Sequence, residues 1–69
     1  MKIWLDTEFN GWSGDLISIA LVPEYGMPFY EVLPCDLPQK WVVENVLPNL
    51  RKAPITKSHL QHLLNQFIN

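Results

Sequence analysis

Residues 3–9 read Ile3-Trp4-Leu5-Asp6-Thr7-Glu8-Phe9. An apolar run leads into two carboxylates spaced i, i+2. Side chains alternate faces along a strand, so Asp6 and Glu8 project from one face, one pleat apart. Two neighbouring acids repel each other unless something positive sits between them. A divalent cation is the usual answer, because hard oxygen ligands suit Mg²⁺ or Mn²⁺. The same spacing also describes an exposed strand end where both acids meet only water.

Other residues with chemical potential point elsewhere. His59 and His62 lie three apart and could share a helix face. His62 falls on the polar side of an apolar stripe, and neither histidine has a carboxylate at a useful spacing. Both read as surface histidines. Cys35 has no partner cysteine and no Cys/His cluster around it, so it reads as a small apolar filler after a strand. Trp4 shares the Asp6/Glu8 face and is expected in the core, and Trp12 is expected to fold back onto the sheet. Lys2, Lys40, Arg51, Lys52 and Lys57 are scattered and make no phosphate track.

The elements that must position the acids come next. Residues 2–6 read as a first strand, apolar on both faces and therefore central in a complete domain. Asn10-Gly11-Trp12-Ser13-Gly14 is a turn whose two glycines are free to take φ > 0. Residues 15–22 are a second strand, Pro23-Glu24-Tyr25-Gly26 a hairpin turn, and Phe29–Leu33 a third strand. Short connections imply an antiparallel meander. Two helices follow. Asp36-Leu37-Pro38-Gln39 has the order of a capping box, which predicts a helix from there to about Leu47, ended by Pro48. Thr56 or Ser58 caps the last helix, on which Leu60, Leu63, Leu64, Phe67 and Ile68 form an apolar stripe.

The chain has 69 residues, 48% of them hydrophobic, and a formal net charge of −2. That length makes one domain at most, with a small core and few kcal/mol to spare. A lone cysteine points to a reducing, cytoplasmic setting. There is no run of about 18 apolar residues and no signal-peptide pattern, so no membrane association is expected. The acidic balance argues against a protein that grips phosphates through a basic face. It is compatible with a site where bound cations reverse the local sign.

Asp6-Thr7-Glu8-Phe9 after an apolar strand, then a Gly-containing turn, then Leu16–Val22, resembles the start of the DEDD superfamily of 3′–5′ exonucleases. Trp41-Val42-Val43-Glu44-Asn45-Val46-Leu47-Pro48 is similar to the first helix of a small bacterial and phage branch that includes the mycobacterial exoribonuclease. The resemblance implies an α/β, RNase H-like N-terminal half: a three-stranded antiparallel meander followed by two helices. It implies a two-metal site of Mg²⁺ or Mn²⁺, the ions about 4 Å apart, one activating a water and the other stabilising the leaving 3′ oxygen. Asp6 would bridge or ligate the metals and Glu8 would ligate one and orient the water, so removal of either should cost most of the rate. The substrate would be the 3′ end of single-stranded RNA or DNA. Phe9 would stack on or wedge its terminal base, and Thr7 and Phe9 would bring backbone groups near it.

The family pattern also requires a second acidic motif, a third on a C-terminal helix, and a His or Tyr base. Downstream of Glu8 the acids are Asp15, Glu24, Glu31, Asp36 and Glu44. None sits in a segment resembling those motifs. The chain therefore resembles the N-terminal part of a nuclease domain, such as a truncated prophage product, expected to bind Mn²⁺ weakly and to cleave poorly or not at all alone. The alternative is a non-catalytic interaction module or a cryptic prophage remnant. In the resembling fold the first strand pairs on both sides, so this chain is expected to expose one side of it and to form a homo-oligomer.

Overall fold

Strand β1 spans Ile3–Phe9, β2 spans Leu16–Pro23 and β3 spans Phe29–Val32, in a computed structural model that describes residues 1–69. The sheet order is β1-β2-β3, both pairs antiparallel, as the short turns require. Helix α1 (Lys40–Asn45) leads into a 3₁₀ turn at Leu47–Asn49, and α2 (Lys57–Ile68) ends the chain. The fold is mixed α/β, a three-stranded antiparallel sheet with two helices.

A bulge in β2 gives the sheet a use for both faces. Register runs evenly from Ile3 opposite Pro23 to Glu8 opposite Ser18, then jumps so that Phe9 faces Leu16. Ile17 is the extra residue, and a bulge re-aims side chains. Leu16, Ile19 and Leu21 pack with Phe29, Leu33 and Leu60 under α2. Ile17 packs instead with Val42 and Val46, beside Cys35, Leu47 and Leu50. Two small cores result, one under each helix. Phe29 and Phe67 anchor the α2 side, their rings tilted with centroids 5.2 Å apart.

Several expectations need correction. The first strand runs on through Phe9, so both acids lie within it. The helix expected from Asp36 begins only at Lys40. Its N-cap is Gln39, with no side-chain cap bond. Leu37 precedes Pro38, and the proline ring disfavours helical geometry at the residue before it. Pro48 does not end the helical run but sits inside the 3₁₀ turn. In the first turn Gly11 takes φ 73°, yet the second left-handed residue is Ser13 at 64°, not Gly14. Gly14 is needed for another reason: a Cβ there would overlap the Asn10 carbonyl.

Trp4 and Trp12 are not in the core but 57% and 96% exposed. The six residues of α1 make a helix only about 9 Å long, and it covers the Ile17 end of the sheet rather than Trp4. Trp12 sits between the two left-handed residues of its turn, which aim it at solvent. On α2, Thr56 is the cap, its Oγ1 accepting from the His59 N–H at 3.1 Å. Leu60 is buried, but Ile68 at the end of the stripe is exposed. The first strand is an edge strand, one side open as expected of this chain, with Ile3, Trp4 and Leu5 exposed.

Candidate functional site

Asp6 faces Ala20 and Glu8 faces Ser18 across the β1–β2 ladder. Both acids occupy even positions of an unbroken stretch of register, so they leave the sheet on the same face, about 7 Å apart along the strand. They form part of the floor of an open cleft of about 380 Å³. Ser18 and Tyr30 continue the floor. Trp41, Asn45 and Val46 of α1, with Asn49, Leu50 and Arg51 after it, make the wall.

The wall follows from helical spacing. Val42 and Val46 face inward onto Ile17. Trp41 and Asn45, one position before each, share an adjoining face that looks into the cleft, and Asn49 prolongs it. Asn45 donates its Nδ2 to the Trp41 carbonyl at 3.0 Å, and Asn49 donates to the Asn45 carbonyl at 2.8 Å. With each amide nitrogen engaged, the Oδ1 atoms remain as acceptors. The Arg51 N–H reaches the Tyr30 hydroxyl at 3.4 Å, tying the end of the wall to β3.

Asp6 is exposed and Glu8 half-buried. Neither is ion-paired: the chain's salt bridges join Lys40 to Glu44 at 3.9 Å and Lys52 to Glu31 at 3.0 Å. Arg51 is the one cationic residue lining the cleft. Two unpaired carboxylates there can share a hydrated cation, with the Asn oxygens and the Ser18 hydroxyl as further hard donors. No three His, Cys, Asp or Glu residues come together as a metal-binding group. The donor set suits one ion that keeps several waters, and is too small to hold two.

Thr7 and Phe9 alternate to the other side of β1 from the acids and do not line the cleft. Phe9 is 48% exposed. His59 and His62 are exposed on α2, whose packing against Phe29, Leu33 and Leu21 puts it on the opposite side of the sheet. Half-buried Cys35 packs against the Ile17 cluster. Burial first, then the Asp15 and Asp36 carboxylates, push its thiol above the usual range. A protonated thiol is a poor nucleophile.

Sequence reasoning missed Tyr30, Trp41, Asn45, Asn49 and Arg51. The 41, 45, 49 spacing beside the apolar pair 42, 46 was the readable signal. Nothing local marks Arg51.

No protein-family model, curated protein or solved structure matches the chain. No helix is long and apolar enough to cross a membrane.

Proposed function

We propose that this chain carries the first acidic motif of an RNase H-like, metal-dependent 3′–5′ exonuclease, acting at the 3′ end of single-stranded RNA or DNA. The observation that supports it is the placement of Asp6 and Glu8 side by side on one sheet face, unpaired, on the floor of a cleft. Asp6 and Glu8 would hold a Mg²⁺ or Mn²⁺ ion. When bound, such an ion polarises a phosphate oxygen and acidifies a water.

The chain's own residues supply the rest of a nucleotide site. Trp41 offers an exposed ring at the cleft wall on which a base can stack, a contact every base can make. Arg51 offers a fixed positive charge and a planar donor fork to a phosphate. This gives to Trp41 the stacking role that Phe9, on the other face, is not placed to perform at this cleft. The two carboxylates are too few for a two-ion mechanism, so the chain alone is expected to bind one ion weakly and to turn over little or no substrate.

Calorimetric Mn²⁺ titration tests the reading. The native chain should show one weak site, and Asp6→Asn or Glu8→Gln should each weaken it at least about tenfold, a loss of roughly 1.4 kcal/mol. Both variants keep the native fold, since neither side chain is buried. Equal Mn²⁺ affinity in all three proteins would refute the site.

A further inference from the structure

The outer side of β1 is an unprotected sheet edge. The Glu24 N–H donates to the Lys2 carbonyl at 2.8 Å. Because antiparallel pairs alternate, Lys2, Trp4, Asp6 and Glu8 turn their backbone groups toward β2, and Ile3, Leu5 and Thr7 turn theirs outward. Pro23 fits this phase, since it stands opposite Ile3 where no N–H is asked of it. The outward N–H and C=O groups meet no other strand. No proline and no outward bulge guards them. Ile3, Trp4 and Leu5 are 46%, 57% and 64% exposed. An open edge with exposed apolar residues of this kind recruits another strand.

We propose that the occupant is a second copy of this chain, its β1 paired antiparallel with this one about a two-fold axis through Trp4. Charge complementarity selects the partner and the register. A two-fold axis perpendicular to the sheet sets residues of one face against the same face, so the axis must pass through a residue. Centred on Trp4, Lys2 lies opposite the partner's Asp6, Ile3 opposite the partner's Leu5, and the two indoles meet. These pairs are complementary: cation with anion, aliphatic with aliphatic, aromatic with aromatic. Trp4 then occupies a non-hydrogen-bonded position, where facing side chains come closest. Ile3 and Leu5 exchange backbone hydrogen bonds with the partner's Leu5 and Ile3. The two Asp6 residues stand four positions apart, roughly 14 Å at about 3.4 Å per residue, beyond the screening length at physiological salt.

Other centres match less well. An axis through Asp6 sets the two Asp6 carboxylates against each other, and one through Thr7 sets Asp6 against the partner's Glu8. Centring on Leu5 pairs Lys2 with the partner's Glu8 but leaves each Asp6 against an indole and Ile3 against Thr7, and centring on Ile3 leaves both acids without a cation. The Trp4 register therefore joins two sheets into one of six strands and brings the partner's Lys2 to the acid floor of each cleft. This inference rests on the strand edge and the Lys2–Asp6 charge pair, and its readout is association rather than metal binding.

Sedimentation analysis and cysteine cross-linking test it, in a Cys35→Ser background. The native chain should sediment as a dimer at micromolar concentration. Trp4→Cys should form an intermolecular disulfide under mild oxidation, at least about tenfold faster than Leu5→Cys. Asp6→Lys should give a monomer, and combining it with Lys2→Asp should restore the dimer. Circular dichroism checks that each variant keeps the native fold, as exposed edge positions allow. A native chain that stays monomeric at millimolar concentration would overturn the proposal. So would faster cross-linking at position 5, or a charge swap that fails to restore association.

Discussion

Asn10 holds the backbone on either side of Pro38 across the chain: its Oδ1 accepts from the Gln39 N–H at 2.8 Å and its Nδ2 donates to the Leu37 carbonyl at 2.9 Å. The residue that follows β1 thereby sets where α1 begins. Asn10 satisfies the N–H of the N-cap residue itself, from 29 positions away. The same clamp carries Trp41 and Asn45 over the acids of β1, so the cleft depends on it.

Asn10→Ala should therefore destabilise the fold by about 1–2 kcal/mol, from two solvent-accessible hydrogen bonds at roughly 1 kcal/mol or less each plus any backbone loosening. Asn10→Asp keeps the acceptor and loses the donor, so it should cost about half as much. Urea unfolding followed by circular dichroism measures both. Equal losses in the two variants would show that the Gln39 bond contributes nothing.

Ile17 is the bulge residue and one of the two largest fully buried side chains, with Val42 the other. Ile17→Ala should cost about 2–4 kcal/mol, the range for emptying a packed aliphatic site. A 69-residue chain has a total of about 3–10 kcal/mol at the usual stability per residue. The variant should thus lose much of its cooperative thermal transition. Exposed Val43→Ala on α1, the helix that packs over Ile17, is the control and should shift the midpoint little. Similar shifts in both would mean that the Ile17 cluster is not a packed core.

Cys35 gives a pH dependence whose sign is fixed. Burial and the neighbouring Asp15 and Asp36 raise its pKa in the folded chain above the ordinary thiol value of about 8.5. Between those two values the folded state holds the proton more firmly than the unfolded one. Its contribution is fully present below about pH 8.5 and is lost as pH rises through the folded value. Stability should accordingly fall above about pH 8.5, more in the native chain than in Cys35→Ala. Alkylation of the native thiol at pH 8 should be slower than in urea. Parallel stability profiles for the two proteins would rule out this linkage.

The elements whose evidence is local were legible from the chain alone. Alternation in residues 3–9 placed Asp6 and Glu8 on one face, and the 3.6-residue stripe with Thr56 or Ser58 as its cap defined α2. Glycines and Pro23 marked the turns of the meander. These signals depend on neighbours within a few positions, where steric and hydrogen-bond rules act directly.

Tertiary contacts decided the rest. Asp36 offers a good local cap, yet Pro38 and the distant Asn10 start the helix at Lys40. Trp4 is large and apolar, yet the short α1 leaves it uncovered at the sheet edge. The bulge at Ile17 splits one run of apolar residues between two cores, and it depends on which residue of β1 finds which residue of β2. Arg51 joins the acids only because the 3₁₀ turn and the Tyr30 hydroxyl bring the chain back to the sheet. Local chemistry determines what each residue can do. Which residues meet is determined by packing energies summed over the whole chain, and those do not reduce to spacing.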